Sequence, residues 1–313
     1  MSPVPEPAPT PRAPASRPTA AEAMAAQASA TRPNAAGASA IRARAGWAPA
    51  LRGAARAALV LWLVLPLVPL ALWSMARGWF FPDLLPGQWT LNAWDYVLSD
   101  TSGVLASLGV TVGIAGLATA LSVLIGVPAG RALGLHEFRG KRLVEMMILA
   151  PVIVPGIAVA LGLHGVFISL GLTNGVAGVV LVHLVPTLPY MTLVMAGIFA
   201  NFDPAFEAQA RSLGASPWQT FRHVTLPAIA PGIMVGALFA FLVSWSQYVL
   251  TLLIGGGRVV TLPLLLFSFA TSGRNDITGA IAMIYILPGV VVLLLTARHL
   301  TGRSGAVGGF GRL

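Results

Sequence analysis

Residues 206–227 read FEAQARSLGASPWQTFRHVTLP and stand between two long apolar runs of a chain with few charges. The stretch carries its own punctuation. Asp203, just upstream, is a good N-cap, and Pro204 at the first helical position gives up no needed hydrogen bond. A helix then runs through FEAQARSL and stops at Gly214, which can take the left-handed conformation of a helix end. Ser216-Pro217-Trp218-Gln219 starts a second helix, with Pro after the cap and Gln at the third position, the pattern of a capping box. Leu226-Pro227 passes the chain to the next apolar run. The sequence predicts a rigid, doubly capped helical elbow, and such stiffness suits a part that transmits force.

Everything around the elbow reads as membrane. The chain has 313 residues, 56% hydrophobic and 9% charged, against about 25% charged in soluble domains. A charge at mid-bilayer costs about 2.5 to 3.5 kcal/mol, so the intervals between charges mark the crossings. Twenty uncharged residues separate Arg56 from Arg77, and thirty separate Asp100 from Arg131. Both suffice for the roughly 20 residues that span a hydrocarbon core of about 30 Å. The 57 residues between Glu145 and Asp203 fit two crossings with a turn at Gly171-Leu172-Thr173-Asn174-Gly175. Val224 to Gly257 holds a fifth span and Ile277 to Ala297 a sixth. The run VVTLPLLLFSFA (259–270) is short and carries Pro, which marks it as interfacial or re-entrant. The fold expected is an all-α membrane protein with six transmembrane helices over 57–300. It is flanked by a disordered Ala/Pro/Arg-rich tail (1–56) and a short tail (301–313), both cytoplasmic. With the N-terminus inside, sixteen basic residues fall inside and only Arg77, Arg258 and Arg274 outside, so the orientation is N-in, C-in. Topology thus accounts for the basic balance, and nucleic acid is not needed as a partner.

Several chemistries drop out. The chain has no cysteine, which removes disulfides, thiolate metal sites and cysteine nucleophiles. The nearest approach to a phosphate-binding loop, Gly134 to Arg142, has five residues between its glycines and Arg142 where Ser or Thr would hold magnesium. No span carries a formal charge, against ion-coupled transport. His164 and His183 lie in apolar runs without partners in sequence, and helix-to-helix hydrogen bonds account for them. Ser169, five residues beyond His164, points about 140° away from it, so the pair makes no catalytic set. No ligand spacing suggests a metal. Prolines 66, 69, 151, 155, 186, 189 and 288 recur in the spans and suit kinked helices around a pathway. The glycine-rich faces GVTVGIAG and GIMVGALFA suit close helix packing.

The elbow resembles the EAA loop of binding-protein-dependent ABC importer permeases of the MetI-like fold. The resemblance rests on Ala210, Arg211, Ser212, Leu213, Gly214, Ala215, Ser216-Pro217-Trp218, Phe221, Val224, Leu226 and Pro227. It implies that Glu207, Ala210, Gly214, Ala215, Ser216, Pro217, Leu226 and Pro227 dock into a cytoplasmic ATPase dimer, which binds ATP and magnesium itself. This chain then needs no cofactor and is no enzyme. The further implied partners are a second permease subunit, identical or similar, and an extracytoplasmic solute-binding protein, at a bacterial inner membrane. Aligned on Gly214, the motif's acid falls on Ala208, and Glu207 stands one position earlier, about 100° around a helix. The alignment leaves open whether Glu207 meets the ATPase. FLVSWSQYVLTLLIGGG is similar to polyamine (spermidine/putrescine) permeases, though Ser246 and Gln247 stand where those often carry an acid. Thiamine-like solutes and iron complexes remain alternatives. Trp245, Gln247 and Tyr248, with His183 and Tyr190, are the candidate pathway residues. Aromatic faces hold cations and Gln bonds amines, although the same residues also fit an interfacial aromatic belt. The rival classes are a stand-alone secondary carrier, which would show intramembrane carboxylates and a repeat, and an intramembrane enzyme.

Overall fold

The computed structural model describes Ala21, residues 53–79 and residues 82–301. The two terminal tails expected from the sequence lie outside these, except at their inner margins. The first of two compact units, ending at Leu65, contributes helix α1, residues 53–64. The second holds α2 (Leu67–Ser74), α3 (Asn92–Leu98), α4 (Val104–Leu135), α5 (Lys141–Ile153), α6 (Gly156–Ser169), α7 (Val176–Ala200) and α8 (Ala205–Ser212). It continues with α9 (Pro217–Trp245), α10 (Val249–Gly255), α11 (Leu262–Thr271) and α12 (Asn275–Thr301). Among the described residues the only β pairing is an isolated bridge between Ala76 and Trp89.

The helices α4, α7, α9 and α12 are long and apolar enough to cross a membrane. Six crossings are reached if α1 with α2, and α5 with α6, each count as one span. The α5–α6 pair is sharply bent, beyond the kink that its prolines suggested: the two halves meet at 106°. Pro155 lacks the N–H that would continue α5, and it holds Val154 extended, at φ −74° and ψ 134°. The expected turn follows, with Gly171 at φ 66° and Asn174 at φ 63°.

Helices α4, α7 and α9 pack together as the central core. Their intimacy comes from a glycine stripe absent from the sequence expectations. At Gly134 an added Cβ would sit 2.6 Å from the Ala196 carbonyl oxygen and 2.6 Å from the Phe199 Cβ. Gly130 and Gly126, one and two turns earlier, press on Met195 and Met191 in the same way. Of the two glycine faces expected to pack, GIMVGALFA does so through Gly232 on Ile198 and Gly236 on Met191. GVTVGIAG does not, since Gly109, Gly113 and Gly116 have open space around them in this chain. The 259–270 run forms the short α11, whose first backbone N–H, at Leu262, is bonded to the Thr111 hydroxyl of α4.

Candidate functional site

The elbow forms as its sequence dictates at both caps. The Asp203 carboxylate accepts from the Ala205 N–H at 2.9 Å. At the far end of α8, Gly214 takes φ 88°. The Ala215 N–H reaches back to the Ala210 carbonyl at 3.1 Å and the Gly214 N–H to Arg211 at 2.9 Å, the paired bonds of a Schellman end. Ser216 then starts α9: its hydroxyl accepts from the Gln219 N–H at 3.3 Å, and the Gln219 side chain accepts from the Ser216 N–H at 2.8 Å. Ala210 and Ala215 are half-buried at the joint, whereas Ser216, Pro217, Leu226 and Pro227 are exposed. Leu213 at 89%, Trp218 at 65% and Phe206 at 56% exposure make the outer face of the elbow apolar.

The second elbow helix is not a separate short helix. It runs unbroken into the apolar α9 through a π-helical segment, Phe221–Thr225. Pro227 explains the widened turn: it has no N–H for the carbonyl four residues back, and the Leu226 N–H bonds instead to Phe221, five residues back.

Glu207 turns inward and is 7% exposed, while the neighbouring Ala208, where the motif's acid aligns, faces out. Its carboxylate receives both Arg131 guanidinium nitrogens, at 2.8 and 2.7 Å, and the Thr225 hydroxyl at 2.6 Å. Arg211 stands 3.8 Å away as a weaker partner. Arg131 also lies 5.5 Å from the centre of the Phe199 ring. The Arg131 hydrogen bonds, then those of Thr225 and the nearby positive charges, hold the Glu207 carboxyl down to about 2 against the opposing effect of burial. The clasp forms one wall of a cavity of about 490 Å³ lined also by Val127, Phe221, Leu226 and Ile233. Sequence reading counted Arg131 only as a loop charge. Its partner lies 76 residues away, and no local pattern announces such a contact.

The candidate pathway residues do not form one cluster. Trp245, Gln247 and Tyr248 lie at a break of the helix at Ser246–Tyr248, between α9 and α10, which His183 bridges, while Tyr190 lies against Phe239 instead. Trp245 is buried, stacked between Phe241 at 5.8 Å and Tyr285 at 5.3 Å. The Gln247 amide bonds back to the Val243 carbonyl at 3.1 Å. Tyr248 packs on Phe267 at 4.5 Å and, with Tyr285, lines a separate cavity of about 440 Å³. Tyr190 stacks on Phe239 at 6.3 Å. His183 is a helix-to-helix link, as expected: its ring nitrogens lie 2.8 Å from the Ser244 hydroxyl and 3.0 Å from that of Thr251, so it bridges the break. Thr187, bonded to the His183 carbonyl, continues the polar chain to Ser122 on α4 at 2.8 Å. His164 departs from expectation, because its Nδ1 is buried without a partner.

These features define a class: a helical protein with several membrane-length helices, one of them entered through a capped polar elbow. The chain belongs to the family of binding-protein-dependent transport system inner membrane components, whose pattern it matches over residues 122–304. It is a permease subunit of an ABC importer and a multi-pass inner-membrane protein. It is 27% identical over 248 residues to a spermidine/putrescine transport system permease of Haemophilus influenzae, covering 79% of this chain and 95% of that one. Over 265 residues it is 31% identical to a permease named for 2-aminoethylphosphonate transport in Salmonella typhimurium, covering 80% and 94%. A bacterial ABC transporter that imports the acidic polysaccharide alginate shares the fold, with a TM-score of 0.61 at 19% identity over 80% of this chain and 95% of that one. The relatives are transport permease subunits, not enzymes.

Proposed function

We propose that the chain crosses the membrane six times, N-in and C-in, and lines the path of a small amine-bearing solute of polyamine type. Its 203–227 elbow docks on a cytoplasmic ABC ATPase that supplies ATP and magnesium chemistry. A second permease subunit and an extracytoplasmic solute-binding protein complete the importer. The observation that carries the coupling assignment is the elbow itself. A Schellman end at Gly214 and a capping box at Ser216 fix the angle between α8 and α9, and Leu213 and Trp218 present an apolar face outward. Such a rigid, sticky corner at the root of a membrane helix is what a motor needs to push on.

For the solute, the solutes in both relatives' names carry primary amines, and aromatic faces attract such cations. The cavity bounded by Tyr248, Phe267 and Tyr285 offers three such faces. Competition for uptake tests this directly. In cells expressing the complete importer, unlabelled putrescine should suppress uptake of labelled spermidine, whereas a neutral diol of the same length should not. Gln247→Leu should reduce uptake with the complex still assembled. Equal competition by the diol would remove the amine from the assignment.

A further inference from the structure

Among the described residues Glu207 is the one charged side chain that is buried, and its cluster with Arg131 and Thr225 sits where the elbow meets the core. Glu207 is on α8, Arg131 is one turn from the end of α4, and Thr225 is on the π-helical segment at the root of α9. Among the described residues, these are the only side-chain hydrogen bonds that join α8 to another helix. Around Arg131, α4 is pinned to α7: Gly130 and Gly134 flank it, and they admit Met195 and Phe199 to backbone contact. A displacement of α8 is therefore handed at once to α4, to α7 through α4, and to the foot of α9. Without the clasp, α8 is tied to the core chiefly by its two chain connections, one of them the capped corner at Gly214.

Resting on the coupling role assigned above to the elbow, we propose that this clasp is the joint through which elbow movement reaches α4 and α9. Glu207 is then a positioning residue that faces the permease and leaves docking on the ATPase to the outer face of the elbow. The bidentate geometry fits this task, because an Arg–carboxylate fork fixes orientation as well as distance. The hydroxyl of Thr225 fixes the third direction.

The test uses the full importer in native membranes and reads three quantities for each variant: ATPase recovered with the permease, ATP hydrolysed, and solute taken up. Glu207→Gln keeps the shape and removes the charge. It should leave the ATPase bound and hydrolysing while uptake per ATP falls about tenfold or more. Arg131→Lys, which cannot form the fork, should fall likewise, and Thr225→Val by a smaller factor. Arg131→Glu combined with Glu207→Arg should recover part of the loss of either single reversal, a rescue that mere loss of stability would not give. Uptake per ATP at the wild-type value in Glu207→Gln and Thr225→Val would overturn the proposal. So would loss of the ATPase from Glu207→Gln, which would make Glu207 a docking residue. If Glu207→Gln does not accumulate, Thr225→Val, lacking a single hydroxyl, decides the matter by the same ratio. Gly214→Val separates the two levels: if it too keeps the ATPase and full uptake, the elbow is no coupling element at all, whereas if only the clasp variants are silent, the joint alone is wrong.

Discussion

A carboxylate displaced by one residue on a helix points about 100° elsewhere, and here that rotation separates an interior contact from an exterior one. Because Glu207 is held at about 2, below the ordinary carboxylate range, its contribution is fully present above about pH 4.5 and is lost as pH falls toward 2. Backbone amide exchange in residues 205–212 should therefore be flat from pH 8 to 5, after correction for intrinsic rates, and rise below that. Glu207→Gln should exchange faster already at pH 7, and equal rates in the two proteins would deny the clasp any hold on the elbow. His183 shows how far a single residue could be read. A lone imidazole in an apolar run must find partners, so a helix-to-helix bond was legible, but Ser244 and Thr251 lie 61 and 68 residues away. The sequence could not name those partners. His183→Leu leaves two hydroxyls without their partner and should lower stability by about 1 to 2 kcal/mol. A thermal shift of the detergent-solubilised protein reads this, and an unchanged midpoint would show that the bridge contributes nothing.

At the scale of elements, what was legible was whatever depends on neighbours in sequence. The caps at Asp203 and Ser216, the left-handed Gly214 and the turn at 171–175 are all local, and they formed as read. The size of the bend before Pro155, 106°, was not legible, and neither were the π-helical segment before Pro227 and the interruption at Ser246–Tyr248, although Pro155 and Pro227 supplied the cue for two of the three. A proline states that a hydrogen bond is missing, but the surrounding packing chooses kink, bulge or break. Glycine stripes have the same ambiguity: Gly126, Gly130 and Gly134 pack against α7 while Gly109, Gly113 and Gly116 meet nothing, and both sets look alike in sequence. Gly134→Ala should therefore be costly, since its Cβ would press on backbone at Ala196 and Ala200, while Gly113→Ala should not weaken the isolated chain. Equal thermal midpoints for both variants would refute the stripe. Gly214→Val forces a β-branched side chain to positive φ, a strain of roughly 1 to 3 kcal/mol. The membrane helices do not depend on that angle, so the variant should insert normally but recover less ATPase on purification.

On the scale of the whole molecule, the clasp constrains topology in a way that charge counting alone does not. Arg131 and Glu207 touch at 2.7 Å, so the end of α4 and the elbow lie at the same face of the bilayer. An even number of crossings must separate them. In the proposed six-crossing threading α7 is one crossing and the sharply bent α5–α6 pair the other, whereas a re-entrant α5–α6 loop would return to its starting face. In that proposed threading the positive-inside rule makes this the inner face, since Arg131, Arg139, Lys141 and Arg142 of the loop and Arg211 and Arg222 of the elbow are all basic. The absence of cysteine makes the prediction direct to test. Single cysteines at Ser216 on the elbow, at Ser169 at the far end of α6 and at Ser272 after α11 are all at exposed positions. A membrane-impermeant thiol reagent added to intact spheroplasts should label Ser169→Cys and Ser272→Cys, and should reach Ser216→Cys only after the membrane is opened. If Ser169→Cys is protected together with Ser216→Cys, the α5–α6 pair does not cross, and the contact between Arg131 and Glu207 cannot form in a chain so threaded.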